Sequence, residues 1–167
     1  MARRAAAPVI VATQTERQII DTLLGVLPAA AASYEQCLAD LGGPPRRSYR
    51  GTAHELREVL RETLHHFAPD RDVMAEAHFQ LEVGQVRPTQ RQRALYFFRM
   101  RRLSREERHA PELALEMVDE IAANMTRTAY ERGAANAHGL TSAPDVRRMK
   151  MYIDAVLAEL LEIHAQE

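Results

Sequence analysis

Apolar residues recur at helical spacing through most of the chain. From about residue 15, Ile19, Ile20, Leu23, Leu24 and Leu27 share one side, as in an amphipathic helix. Pro28 has no backbone N–H to donate, so it kinks or restarts that helix. The pattern then runs on to Leu41 before Gly42-Gly43-Pro44-Pro45 ends it. Residues 48–67 predict a second helix with Leu56, Val59, Leu60, Leu64 and Phe67 as its core-facing stripe and Ala68-Pro69-Asp70 as its stop. Between 70 and 88 no period is sustained, and Gly84 and Pro88 predict a loop with at most a short helical turn.

Thr89 is placed to cap a third helix through Leu103, with Leu95, Tyr96, Phe98 and Met100 as packing residues. Ser104-Arg105-Glu106-Glu107 has capping-box spacing, and Pro111 suits the first turn of a long fourth helix reaching Ala137, with Gly139 as its C-terminal cap. Ser142, with Asp145 three residues later, opens a final helix whose stripe is Val146, Met149, Ile153, Val156, Leu157 and Leu160. Residues 1–12 read as a flexible arm and 13–167 as one all-α domain, a bundle of about five helices.

Composition agrees with that fold class. There are five Tyr, four Phe and no Trp, whereas Ala, Leu, Arg and Glu abound. A chain of 167 residues can bury a real core, since domains of about 150 residues bury roughly 70% of their unfolded surface. Net charge is −1 with a pI near 6.7, so a nucleic-acid footprint has to be local. The single cysteine, Cys37, excludes an intrachain disulfide and reads as a core residue of the first helical pair. No apolar run approaches the roughly 18 residues of a membrane span, and no secretory leader pattern is present, so the expected location is the cytoplasm. Lys150 is the sole lysine among 22 basic residues.

Candidate chemistry concentrates near the end of the fourth helix. At about 100° per residue, Val118, Ile121, Met125, Ala129, Arg132 and Asn136 fall in one narrow stripe, so a core-facing stripe ends in an arginine and an asparagine. His138 follows beside the helix break at Gly139. The spelling Arg, four to six residues, His recurs elsewhere, for example from Arg61 to His66 and from Arg102 to His109, so position carries the inference. A guanidinium on that stripe has to be paired, bound to an anion or at a subunit interface, because an unpaired buried charge costs several kcal/mol. Histidine exchanges a proton near neutral pH, and arginine offers a planar fork to a phosphate and to its pentacoordinate transition state. That pairing suits RNA cleavage by the 2′-hydroxyl, which requires no metal. The bland alternative is an arginine paired with an acid and a histidine in a capping turn.

Two further stretches are candidates for holding RNA. On the second helix Arg50, His54, Arg57, Arg61 and His65 lie within about 80° of one another, a basic face turned away from the apolar stripe. It reads either as a phosphate-binding surface, with His54 an alternative proton-transfer group, or as a solvated face on which Glu58 and Glu62 pair neighbouring arginines. Residues 91–108 hold seven arginines against two acids, with Arg99 and Arg102 as candidate RNA contacts. Tyr96, Phe97 and Phe98 there either stack on bases or pack in the core. Glu62-x-x-His65 and Glu106-x-x-His109 have the spacing of di-iron bundles, but the second precedes Pro111 in a capping segment, so neither a metal nor a cofactor is expected.

The Arg132 to His138 motif at the end of a long helix, followed by a turn and a terminal amphipathic helix, resembles the HEPN superfamily of all-α ribonucleases in prokaryotic defence and toxin-antitoxin systems. The resemblance implies a homodimer whose facing motifs form one cleft, metal-independent endoribonuclease activity on RNA, and Arg132 and His138 as the catalytic pair. The superfamily usually has Asn, Asp or His directly after the arginine; here that position is Gly133, and Asn136 is the candidate replacement. Tyr49-Arg50-Gly51-Thr52-Ala53-His54-Glu55-Leu56-Arg57-Glu58 and the segment after it resemble helical domains of predicted nucleases associated with prokaryotic PIWI proteins. The rival expectation is a non-catalytic helical adaptor or dimerisation module within a defence complex, bound to a partner protein.

Overall fold

A computed structural model describes residues 12–131 and 141–163. Among the described residues the chain is all-helical, with seven helices and no strand. They are α1 (Gln14–Val26), α2 (Pro28–Gly42), α3 (Arg50–Phe67), α4 (Asp70–Met74), α5 (Gln90–Met100), α6 (Arg105–Glu131) and α7 (Ala143–Leu160). The expectation of about five is corrected at two places. Pro28 restarts the first helix rather than kinking it, because Leu27 takes a non-helical conformation (φ −144°, ψ 72°) and Pro28 opens α2 at its first position. The short turn expected after residue 70 is α4, five residues long.

Local sequence explains most boundaries. Thr13 and Glu16 form a capping box at α1, with the Glu16 carboxylate accepting from Thr13 N–H at 2.7 Å. Thr89 with Gln92 and Ser104 with Glu107 do the same at α5 and α6. Ser142 Oγ accepts from Asp145 N–H at 3.3 Å and opens α7. Pro111 is not in the first turn of its helix. α6 begins six residues earlier, at Arg105, and Pro111 sits buried in the second turn, where it cannot donate to Glu107. α5 stops at Met100 rather than Leu103 because Arg102 turns into the left-handed region (φ 56°). Leu103 N–H then reaches back to Phe98 C=O at 3.0 Å, and Arg102 N–H to Arg99 C=O at 2.9 Å, the double closure of a Schellman corner. Met100, expected to pack, is 64% exposed.

α7 lies at the centre, packed on α1, α3 and α6. Its stripe of Val146, Met149, Ile153, Val156, Leu157 and Leu160 is buried, as are Leu56, Val59, Leu60 and Leu64 of α3 and Val118 and Ile121 of α6. Tyr49 N–H donates to Thr141 C=O at 3.0 Å, so α3 and α7 start side by side and run the same way. α6, joined to α7 through residues 132–142 and packed against it, runs the opposite way.

The only lysine is in this core. Lys150 Nζ lies 2.5 Å from Glu16 Oε1 and 2.5 Å from Asp154 Oδ2, while Tyr34 O–H donates to Asp154 Oδ1 at 2.7 Å. Four side chains thus tie α1, α2 and α7 together. Cys37 is buried, with its thiol directed at Thr52 C=O (3.7 Å), and burial pushes its pKa up to about 12 with Asp40 adding to the effect. Among the described residues no helix is long and apolar enough to cross a membrane.

Candidate functional site

α3 and α6 both pack on α7 and on α5, yet scarcely touch each other. The gap between them is a groove of about 730 Å³. Arg61 and His65 line it from α3, Asp119 from α6, Glu82, Gln85 and Arg87 from the segment before α5, and Thr89, Arg91 and Arg93 from the start of α5. The basic face of α3 read from the sequence therefore continues into a concave site.

Along that face the residues are held differently. Arg50 and His54 are exposed in the first two turns of α3, at the end where Tyr49 meets Thr141. Arg57 is half-buried and close enough to Asp119 to favour its charged form. Arg61 is committed: its Nε donates to Glu58 at 2.8 Å, and Glu62 lies 3.7 Å away. The hydrogen bond from Arg61 holds the Glu58 carboxyl below its ordinary range against its slight burial, with help from His54 and Arg57. The solvated-face reading thus holds for Arg61, while Arg50, His54 and Arg57 have no carboxylate bonded to them among the described residues.

At the α5 side of the groove Arg93 is a buried anchor. It donates to Ala68 C=O at 2.6 Å and pairs closely with Asp70, locking the α3–α4 turn to α5. The hydrogen bond from Arg93 holds the Asp70 carboxyl low. His65 Nδ1 and Arg87 Nε stand off the same carboxylate at 3.7 and 3.8 Å. Asp119 reaches solvent at the mouth of the groove, but the walls around it displace water and raise its carboxyl pKa; Arg57 opposes the shift and Glu82 adds to it.

The arginines of residues 91–108 are mostly spoken for. Arg99 pairs with Glu76 (Nε to Oε1 2.8 Å) beside a smaller hollow of about 430 Å³, Arg101 with Glu162, Arg108 with Glu112 at 3.4 Å and Arg91 loosely with Glu116 at 3.6 Å. Arg99 thus ties α5 to the segment after α4. Arg102 is exposed at the α5 corner, away from the groove lining. Phe97 and Phe98 are buried and Tyr96 is half-buried, with Phe97 edge-on to Phe67 at 5.6 Å, so this run is core rather than a stacking platform.

Sequence reading missed Asp119, Glu82, Arg87 and the anchoring role of Arg93. Asp119 looks like any solvent-side acid of α6, and only the antiparallel placement of α6 beside α3 brings it to Arg57. Arg132, Asn136 and His138 lie outside the described residues, although the stripe leading to them is as expected, with Val118 and Ile121 buried and Met125 half-buried. Among the described residues no three His, Cys, Asp or Glu side chains gather around a common point, so the two Glu-x-x-His pairs are not joined.

Comparison with known proteins places this fold in a family. No curated protein and no solved structure matches the chain. The family model described as predicted pPIWI-associating nuclease matches residues 28–156, which takes in α2 to α6, both walls of the groove and most of α7. With more than half its length matched, the chain belongs to the family of predicted pPIWI-associating nucleases.

Proposed function

We propose that this protein is an endoribonuclease of a prokaryotic defence or toxin-antitoxin system, acting with a PIWI-type partner and cutting RNA without a metal, in the manner of HEPN ribonucleases. The RNA lies along the α3–α6 groove with its phosphates over Arg50, His54, Arg57 and Arg61. The 2′-oxygen attacks the adjacent phosphorus, the bond to the 5′-oxygen breaks, and the products are a 2′,3′-cyclic phosphate and a 5′-hydroxyl. His138 takes or returns the proton, Arg132 meets the charge that builds on the phosphoryl oxygens, and Asn136 supplies the polar contact that Gly133 lacks. Two copies meet at the α6–α7 end, so that their motifs share one cleft.

The observation that carries this reading is the bond from Tyr49 N–H to Thr141 C=O. It sets the start of the basic face of α3 beside the residue where the chain returns from 132–140. Three residues span at most about 11 Å, and in this reading His138 works beside the α3 end that carries Arg50 and His54. The test is RNA cleavage in EDTA by wild type and by His138→Ala. Wild-type cleavage leaving cyclic phosphate ends, and its loss in the variant, supports the reading; equal cleavage by both, or none by either, refutes it.

A second reading, a non-catalytic adaptor, draws on Val83 and Val86. Both project almost fully exposed (103% and 85%) from the tip before α5, where apolar side chains suit a protein contact. Absence of cleavage by wild type, with retained binding to a PIWI-type protein, favours it.

A further inference from the structure

Three helix ends meet where α3 and α7 begin. The last turn of α2 is there as well, because the Arg147 guanidinium of α7 donates to Leu41 C=O at 2.8 Å and Thr52 Oγ1 of α3 donates to Asp40 at 2.8 Å. The connection from α2 to α3 is tied to both neighbours. Tyr49 is buried, its N–H donates to Thr141 C=O at 3.0 Å, and its hydroxyl accepts from Arg46 N–H at 3.2 Å. Pro44 and Pro45 stiffen the rest of the connection, since each ring fixes its own φ.

This corner displays cations on a fixed frame. Arg46, Arg47 and Arg50 are exposed along the connection and the first residue of α3, and Arg147 is exposed at the start of α7. The acids nearby are already engaged. Asp40 is buried, with Gln36, Thr52 and Arg46 on its oxygens at 2.8, 2.8 and 2.5 Å, so the Arg46 charge balances it. Asp145 accepts from Ser142 Oγ at 2.6 Å in the α7 cap, and Glu55 lies about 140° round α3 from Arg50. Among the described residues no carboxylate pairs with Arg47 or Arg50, and the partner of Arg147 is a neutral carbonyl. Three guanidinium charges are thus uncompensated, on backbone that needs no ordering to receive an anion. The corner offers little to a protein partner. Among the described residues no large apolar side chain is exposed in 42–54 or 141–148, whereas protein interfaces centre on desolvated apolar or aromatic anchors; phosphate contacts need only charge and donors.

We infer that Arg47, Arg50 and Arg147 form a binding site for internal phosphates of an RNA strand where it leaves the α3–α6 groove and turns over the α2–α3 corner. This rests on the RNA-binding reading above and extends it beyond the groove. Arg50 belongs to both surfaces, since it is also the first residue of the basic face that reaches Arg57 about 10 Å further along α3. A strand that continues past the start of α3 therefore meets Arg47 and Arg147 next. In the cleavage reading the cut is made beside this same end of α3, so the strand is held on both sides of it. The contacts are to backbone phosphates and carry no base preference.

The experiment measures binding of 2′-O-methyl oligonucleotides, which cannot be cut by 2′-hydroxyl attack, across a range of salt concentrations. Two lengths are used, about 4 and about 16 nucleotides, the two ends of the range that single-strand sites span. The longer strand reaches the corner, so its log–log salt slope is steeper than that of the shorter by about 1.4, or two contacts at about 0.7 each. In the double variant Arg47→Gln/Arg147→Gln that difference disappears, and affinity for the longer strand at about 0.1 M salt falls about twentyfold, equally for A-rich and U-rich sequences. Arg47→Lys/Arg147→Lys keeps the charge and keeps the steeper slope; if it behaves like the glutamine variant, the side chains act on the fold and the inference fails. Equal slopes for the two lengths in wild type, a difference that survives in the glutamine variant, or no binding of either strand also overturns it. So does an oligoglutamate that binds through Arg47 and Arg147 while RNA ignores them, which would assign the corner to an acidic protein. Unchanged slopes with His138-dependent cleavage intact sink this corner alone. A slope that depends on Arg47 and Arg147 while His138→Ala cuts like wild type sinks the cleavage reading alone.

Discussion

Replacing Lys150 with methionine tests whether the buried charge cluster holds the bundle together. Lys150 Nζ is 2.5 Å from both Glu16 and Asp154, and the three side chains are 10%, 15% and 18% exposed. Removing one partner of a buried ion pair typically costs about 3–5 kcal/mol, because the remaining charges stay out of water. Methionine refills most of the volume, and the orphaned acids keep two donors, Thr13 N–H on Glu16 and Tyr34 O–H on Asp154. The loss therefore belongs near the lower end, about 3 kcal/mol at pH 7.5. For a chain of this size that lowers Tm by roughly 6–12 °C.

The pH dependence separates charge from packing. Burial raises the Asp154 carboxyl pKa even with Lys150 and Tyr34 opposing it, whereas for Glu16 the hydrogen bonds from Lys150 and Thr13 overcome burial and leave the pKa low. In the wild type Glu16 thus contributes stability above its ordinary carboxyl range that is lost as pH falls through its lowered value, and Asp154 does the reverse. Without Lys150 both folded-state pKa values rise, so both acids bind protons more readily in the folded variant than in the folded wild type. The variant's deficit then shrinks as pH falls from 7.5 toward 5. Urea melts of both proteins across that range are the assay. A deficit below about 1 kcal/mol at pH 7.5, or one that stays constant with pH, would refute the argument that an uncompensated charge is responsible.

Two other outcomes follow from the arginines. Arg102 holds φ 56° at the α5 corner, a conformation costing a non-glycine residue about 1 kcal/mol, so Arg102→Gly raises stability by about 0.5–1 kcal/mol in the same melts; a loss would show that the arginine side chain matters more than its backbone. For RNA confined to the groove, affinity falls with salt at a log–log slope near −3, the value for about four phosphate contacts on a single strand, because among the described residues Arg50 and Arg57 of the α3 face have no bonded carboxylate and Arg87 and Arg91 hold theirs loosely. A slope near −7 would mean that the paired arginines of 91–108 open to bind as well.

What the sequence made legible follows the range of the interactions involved. Helix starts at Thr89, Ser104 and Ser142 depend on side chains reaching three residues along, and the stripes of α3 and α7 depend on a period of three to four; both are written locally. Arg102 is a local feature that pattern could not show, since nothing in its spelling marks a left-handed corner. The candidate site is less legible because it is made by distant pairs. Arg93 and Asp70 are separated by 23 residues, and Asp119 approaches Arg57 only through the direction of α6. The arginine-rich run is only partly legible for a related reason: its counter-ions Glu76, Glu116 and Glu162 lie on other segments, so a local tally of charge sees cations without their partners.

Helix direction gives the groove a polarity that bears on any assembly. α3 and α7 begin together at Tyr49 and Thr141, and both end near α5, where Phe67 meets Phe97 and Glu162 meets Arg101. The groove between α3 and α6 therefore has α5 at one end and Thr141, at the start of α7, toward the other. In the proposed homodimer, pairing through the ends that carry Thr141 joins two grooves into one longer cleft with the α5 ends outermost. Two RNA strands, or the two ends of one, would then enter the shared centre from opposite sides. A dimer built instead through α5 would bury Arg87 and Arg91 and leave the Thr141 ends apart. The cleavage reading therefore requires the first arrangement, and cross-linking at residues near Thr141, as against residues near Arg91, distinguishes the two.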